Sequence, residues 1–524
     1  MQQPHMKRTL VRWAAIAALL VGASACEKDI FDINNDPNNP ARADINLVLP
    51  SGQSYVSFIV GGQYNILGEI LAQHMTIQGG AQQYRNYDQY NLNSGTLDGR
   101  QFQNLYAGAL QDFEFVITEG SAKDEWRMVG IAKILKAHTY QILTDLYGDL
   151  PYSEALQPKV TLTPRYDRQS EIYAGLQTLL DDGIANIRRQ QGRFPGNADL
   201  NYQARSEADM TKWIRLANTL KLRLYLRLSE VDADGAGRGI AELYRQAATT
   251  GGFMQAGDDL QFANSNAANA ENPFYQANFR IQNQLGICST LGNYMANTFD
   301  PRQTVYFLDG NPETPSTFER FFGAPGASGS FIYSFPGTWF IGSQFTNSIR
   351  GVNKPGSAYP GLSATDAAAK ARPTLLLTYE ESLLLRAEAA VRGWTVGESA
   401  AQSLYEDGVR AAMARYGVSA TQANAYLAGS FVNLSLASNV AAKVGRISIQ
   451  KWVALFGTNG MEAWTEIRRT NAVPLVAPQV NALGAGRFVK RLPYPDSELQ
   501  RNPNIASTGL APGDVTTPVW WDVN

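Results

Sequence analysis

Apolar residues recur at three- and four-residue steps over much of this chain, the spacing that turns one face of a helix toward a core. The pattern dominates from about Leu47 to Thr250. Ile131, Ile134, Leu135, His138, Ile142 and Leu146 predict a long helix, and Gly148 is placed to end it. Leu150 is held extended by the proline after it, and Pro151 tolerates a first helical turn, so a helical hairpin is predicted. Ile172, Leu176, Leu179, Leu180 and Ile184 predict a second helix over Asp167 to Arg189. Trp213, Leu216, Leu220 and Leu224 predict a third over Thr211 to Val231, whose Arg223 and Arg227 share another face, solvated or ion-paired. Periodicity returns in Tyr379 to Arg392, Ser399 to Tyr416 and Ile447 to Arg469.

Between these halves the periodicity lapses. Glycine, proline, asparagine and aromatic residues take over, as in Gly323-Ala324-Pro325-Gly326 and Phe335-Pro336-Gly337. So long an irregular stretch in a compact protein is commonly a binding region carried by the scaffold beneath it. The expected architecture is therefore mostly all-α. An N-terminal helical part spans 47–250, a loop-rich ligand-facing region 251–372, a C-terminal helical part 373–475 and an irregular segment 476–524. Helix pairs joined by short turns suggest a tetratricopeptide-like scaffold of helical hairpins, with 26–524 forming one domain.

The first residues follow another logic. Lys7, Arg8 and Arg12 precede an apolar run from Trp13 to Val21, then Gly22-Ala23-Ser24-Ala25 and Cys26. Such a run is too short to cross about 30 Å of hydrocarbon, which takes roughly 20 residues, so 1–25 reads as a removable export signal. A cysteine directly after the small residues is the nucleophile that lipoprotein processing uses. Cys26 is thus the expected site of lipid attachment, with palmitate-like chains contributing about 0.8 kcal/mol per buried methylene. Ala23 departs from the leucine usual at its place. Residues 26–46, rich in Asn, Asp and Pro, read as a tether. Asp32, Asn34 and Asp36 alternate as in a calcium loop, but its glycine and distal Glu are missing, and no metal is assigned.

Composition narrows the chemistry. The 524-residue chain has a formal charge of −2 and a pI near 6.1, which gives no electrostatic footprint for nucleic acid. With Cys26 modified, Cys288 has no disulfide partner and is expected to be buried. Beyond the signal only His74 and His138 remain, and neither has the spacing of a triad or a metal site. His138 lies in line with apolar helix residues and reads as a packed, hydrogen-bonded core histidine. Asp145, Asp149 and Glu154 suggest the facing carboxylates of a glycosidase, yet at a helix end and the next helix start they are more simply caps and ion-pair partners. Glu380 and Glu381 are adjacent and cannot face each other on a helix. No catalytic residue and no cofactor is assigned.

Several strings follow one another in a telling order. They are Lys136-Ala137, the run from Leu143-Thr144-Asp145-Leu146-Tyr147-Gly148-Asp149-Leu150-Pro151 to Leu156, Pro164-Arg165-Tyr166-Asp167, and Lys212-Trp213 with Ala217 to Arg223. In order and spacing this stretch resembles the SusD/RagB family of outer-membrane nutrient-binding lipoproteins, its SusD-like subgroup in particular. Asn35-Asp36-Pro37-Asn38, Asp300-Pro301-Arg302, Leu385-Arg386-Ala387-Glu388-Ala389 and Gln450-Lys451-Trp452 extend the resemblance over nearly the whole chain after Cys26. It implies a non-enzymatic, lipid-anchored protein exposed on the cell outer membrane. Such a protein binds an oligomeric nutrient, a glycan first of all, and delivers it to a SusC-like TonB-dependent transporter. The start Glu27-Lys28-Asp29 resembles a surface-export signal of these lipoproteins. A peptide-binding RagB-like lid and a lipid-anchored glycoside hydrolase are the alternatives.

Sugar rings present apolar faces to aromatic side chains and hydroxyl edges to amides, carboxylates and arginine. Two clusters outside the predicted helices fit. The first is Tyr84, Arg85, Asn86, Tyr87 and Tyr90, entered through Gly79-Gly80. The second is Phe274, Tyr275, Tyr333, Phe335, Trp339 and Tyr359, set among glycine and proline. The same aromatics could instead pack loops onto helices or meet the transporter.

Overall fold

The computed structural model describes residues 43–77, 82–97, 99–157, 160–278, 284–308, 338–341, 367–397 and 400–524. Spatial contacts gather Val48 to Asn524 into one compact unit; of the other unit, residues 1–47, only 43–47 are described. Cys26 and the calcium-like alternation lie outside the described residues.

The long helices carry the fold. They are α1 (Ile45–Gly61), α2 (Gln63–Leu71), α3 (Gln111–Ser121), α4 (Trp126–Tyr147), α5 (Gln169–Arg188), α6 (Glu207–Arg227), α7 (Ala233–Thr250), α8 (Ser289–Asn297), α9 (Tyr379–Val391), α10 (Ala401–Ala414), α11 (Ala420–Leu427), α12 (Val440–Ala454) and α13 (Gly460–Thr470). Side-by-side pairs α4–α5, α6–α7, α9–α10 and α12–α13 form helical hairpins, and α5–α6 and α9–α12 join successive pairs. This is the all-α, tetratricopeptide-like scaffold that the periodicity predicts.

Local chemistry sets the ends. Gly148 stops α4 with φ of 81°, and its N–H still reaches the Thr144 carbonyl at 2.8 Å. The Asp149 carboxylate accepts from the Gln169 N–H at 2.8 Å, capping α5. Two predicted boundaries differ. Leu150–Pro151 (β2) does not start a helix but pairs antiparallel with Tyr166–Asp167 (β3), so the next helix waits until Gln169. The apolar pattern from Ile447 to Arg469 is two helices, because Gly457 turns the chain at φ of 65° and Asn459 caps α13 through the Glu462 N–H at 3.2 Å.

Close backbone approach fixes one crossing. A Cβ on Gly68 of α2 would lie 2.1 Å from the Met461 nitrogen, and one on Gly460 would lie 2.3 Å from the Glu69 nitrogen. Only paired glycines let α2 and α13 meet there.

The region expected to be loops contains short regular elements. Leu285–Cys288 (β5) pairs with both Met75–Ile77 (β1) and Thr338–Ile341 (β7), and β7 pairs with Phe307–Leu308 (β6), giving an antiparallel sheet of order β1-β5-β7-β6. Leu260–Phe262 (β4) pairs with Thr374–Leu377 (β8). Strands of two to four residues are too short to show a period, which is why the sequence pattern misses them.

The predicted solvated or ion-paired face of α6 is buried and ion-paired. Arg227 Nη2 donates to both Glu462 oxygens at 2.8 Å, and Lys451 Nζ reaches Glu462 at 2.8 Å and Glu381 and Glu466 at 3.3 Å. Arg223 lies 2.8 Å from Glu381, and Arg469 binds Glu388 at 2.7 Å and Glu466 at 2.6 Å. The network sews α6 to α9, α12 and α13. The nearby cations hold Glu466 down to about 2 and Glu462 well below the usual carboxylate range against the opposing effect of burial.

Candidate functional site

The first candidate cluster folds inward. Arg85–Asp88 forms a single short helix, not a loop, and turns Tyr84, Tyr87 and Tyr90 into the protein at 2, 7 and 1 % exposure. The Tyr84 and Tyr87 rings stack at 5.8 Å, Gln63 Nε2 donates to the Tyr87 hydroxyl at 2.6 Å, and the Tyr84 hydroxyl donates to the Ala277 carbonyl at 3.0 Å. Asp88 accepts from the Thr76 hydroxyl of β1 at 2.6 Å. Asn86 is exposed and Arg85 half-buried.

The second cluster is partly described. Phe274 and Tyr275 belong to a short helix, Pro273–Asn278, and both are buried. Asn272 caps that helix, its Oδ1 accepting the Phe274 and Tyr275 N–H groups at 2.9 and 3.1 Å, and proline at the first position needs no acceptor. Trp339 lies in β7 with its backbone opposite Ile287. Tyr333, Phe335 and Tyr359 lie outside the described residues.

The structure thus joins segments 193 positions apart through the Tyr84–Ala277 bond. The flat rings of Tyr84, Tyr87, Tyr90 and Tyr275, expected to be offered to a ligand, are packed against protein instead. Alternation of aromatic and polar residues gives no direction for the rings; the helical turn of Arg85–Asp88 does.

Beside this packed floor opens a cavity of about 470 Å³, lined by Phe58, Ile59, Gln63, Arg100, Gln101, Asn104, Pro273 and Gln276 among others. Four amides and one guanidinium face an apolar rim on which Phe58 is 59 % exposed. No carboxylate or histidine is among its described lining residues. Such a lining can hydrogen-bond hydroxyls or amides and cover an apolar ring face, but offers no acid–base pair. No lining residue carries a legible sequence signal: the amides come from three separate elements.

The carboxylates weighed as an acid pair have structural partners. Asp145 is buried and accepts from the Tyr173 hydroxyl and from Trp521 Nε1 at 2.9 Å, and Glu154 accepts from the Arg165 N–H at 3.0 Å. Glu380 is bound by Arg415 through two 2.7 Å bonds. His138 is packed in the core beside Gln141, and burial together with the Arg223 charge lowers it to about 3 against the smaller opposing pull of Gln141 and Glu462. Burial pushes the Cys288 thiol up to about 12, so it is inert.

No described helix is long and apolar enough to cross a membrane. No curated protein sequence matches the chain. Among solved structures, a chitin-binding protein is 25 % identical over 91 % of this chain and 100 % of its own, with a TM-score of 0.67. A chitin-binding SusD homologue from Flavobacterium johnsoniae is 21 % identical over 92 % and 99 %, with a TM-score of 0.69. A SusD homologue from Bacteroides fragilis is 20 % identical over 92 % and 99 %, with a TM-score of 0.70. The family model described as starch-binding, associating with the outer membrane, matches residues 38–495, and the chain belongs to this SusD-like family.

Proposed function

We propose that this protein captures an oligosaccharide in the cavity of Gln63 and Gln276 and passes it to a SusC-like TonB-dependent transporter, held at the outer membrane by lipid on Cys26. The observation that carries the reading is the joining of the first cluster to the helix of Phe274 and Tyr275 behind one amide-lined cavity. Buried tyrosines hold the floor; amides and Phe58 meet the ligand; Arg85 and Asn86 extend the face at the edge of the same segment. Tyr84, Tyr87, Tyr90 and Tyr275 act as positioning residues. The family, the chitin-binding names of two relatives and an amide-rich lining with no carboxylate among its described residues all support a glycan ligand bound without catalysis.

Calorimetry of the whole protein in mild detergent tests this against chitin-derived and starch-derived oligosaccharides and against short peptides. A glycan should bind, and combining Gln63→Ala with Gln276→Ala should weaken it at least about 10-fold, the effect of losing two hydrogen bonds. Binding of peptides alone selects the RagB-like alternative, and release of shortened glycans selects the hydrolase. Co-purification of a barrel transporter from outer membranes tests the partnership.

A further inference from the structure

A second cavity, of about 440 Å³, lies between α8, α12 and the segment around Pro474. Its walls are unlike in chemistry. Trp452, Ile449, Val473, Pro474 and Val476 make it mainly apolar, with Phe431 at 72 % exposure on its rim. From α8 it receives Asn293 and Asn297, one turn apart, and neither amide has a hydrogen-bond partner among the described residues. Arg446 of α12 is half-buried in the lining. It donates to the Asn433 carbonyl, but no carboxylate among the described residues pairs with it.

The walls are held in place. Gln450 Nε2 donates to the hydroxyls of Tyr294 and Tyr426 at 3.0 and 2.8 Å, while its Oε1 accepts from Arg302 at 2.9 Å. Gln73 clamps Val476 through its N–H and carbonyl at 3.0 and 2.6 Å and accepts from the Thr290 hydroxyl at 2.6 Å. Trp452 Nε1 is fixed on the Ala72 carbonyl at 2.9 Å. A rigid apolar pocket of this size with few convergent polar groups is the usual form of a small-ligand site.

We propose that this cavity binds an apolar group carrying a carboxylate, either a free aryl acid or the C-terminus of a peptide ending in an aromatic residue. The ring lies against Ile449, Val476 and Phe431, the carboxylate pairs with Arg446, and Asn293 and Asn297 bond the polar atoms beside it. This site is distinct from the oligosaccharide cavity and stands without it.

Calorimetry on the whole protein with 3-phenylpropionate, with a tripeptide ending in phenylalanine, and with the amide of each tests the assignment. At least one acid should bind at millimolar concentration or better, and its amide at least about 10-fold more weakly, as loss of a charge-assisted contact requires. The tighter acid names the source. Arg446→Gln should abolish the preference of acid over amide, and Arg446→Lys should retain part of it. Val476→Trp, at a 44 % exposed position, should block the pocket while the protein stays folded. The combined Gln63 and Gln276 variant should leave acid binding unchanged. Failure of both acids to bind at about 10 mM ligand, roughly tenfold above the weakest affinity expected, amides binding as well as acids, or unchanged binding in Val476→Trp overturns the proposal.

Discussion

Glu462→Gln should be among the most damaging isosteric changes in the protein. The carboxylate is 5 % exposed and receives three bonds of 2.8 Å, two from Arg227 and one from Lys451, with Arg223 at 4.0 Å. Glutamine keeps the volume, so no cavity opens. It removes the charge and turns an NH2 group toward one of two cations that cannot leave. Breaking a buried pair from one side costs about 3–5 kcal/mol, because the stranded charge stays desolvated. Glu119→Gln is the control: its carboxylate is 29 % exposed and its partner Lys123 48 % exposed, so no cation is stranded away from water and the cost should stay below about 1 kcal/mol. Urea unfolding with unchanged slope measures both. Adding Arg227→Met to Glu462→Gln should recover part of the loss, since the stranded cation goes with its partner. Were Glu462→Gln within about 1 kcal/mol of the wild type, the network could not be what joins the helical halves, and the reasoning would fail.

Gly68→Ala should cost about 3 kcal/mol or more, since its Cβ would meet backbone 2.1 Å away, while Gly445→Ala on the open face of α12 should gain about 0.5–1 kcal/mol; unfolding midpoints read both. His138 stays neutral when folded, with a value of about 3 against 6.5 unfolded, so the unfolded chain gains a proton as pH falls below 6.5. Stability carried by this group is intact above pH 6.5 and drains by about 1.4 kcal/mol per unit toward pH 3. The difference between wild type and His138→Phe between pH 7 and 5 isolates it from carboxylates such as Glu69, which burial raises and whose contribution runs the other way. A wild-type minus variant difference that does not change with pH would exclude the neutral buried histidine. Cys26→Ser should leave the unfolding midpoint in place, because residue 26 opens the Asn-, Asp- and Pro-rich segment read as a tether, yet move the protein from the membrane to the soluble fraction.

Legibility followed the length of the pattern. Five helices, α4, α5, α6, α9 and α10, stand within a few residues of their predicted spans because each shows several turns of one apolar stripe. The break between α12 and α13 was hidden, since Gly457 and Asn459 interrupt the stripe without shifting its phase enough to show. Arg223 and Arg227 could be assigned to a face but not to an environment: whether that face meets water depends on Glu381, Glu462 and Glu466, more than 150 positions away. The tyrosines of the first cluster were found by type and not by direction. Asn293, Asn297 and Arg446 gave no signal at all, because nothing in a sequence brings α8 to α12.

The strings through which the chain resembles its family do a different job from the one proposed for the amide cavity. Asp145, Arg223, Glu388 and Lys451, one from each of four such strings, are no more than 3 % exposed and belong to one ionic network. None of the quoted strings supplies a lining residue of the amide cavity, whose Gln63, Arg100, Gln101, Asn104 and Gln276 lie between them. Buried charges tolerate almost no substitution, because each needs its partners in place, whereas amides at an open rim can be exchanged at little cost to the fold. On the proposed function the strings therefore hold the scaffold, and the gaps between them supply the residues that meet the ligand. Replacing Gln63 and Gln276 should accordingly change which glycan is bound while the unfolding midpoint stays fixed, and replacing Asp145 or Lys451 should do the reverse. A Gln63 and Gln276 variant that unfolds early while still binding the same glycan would show that this division of labour is wrong.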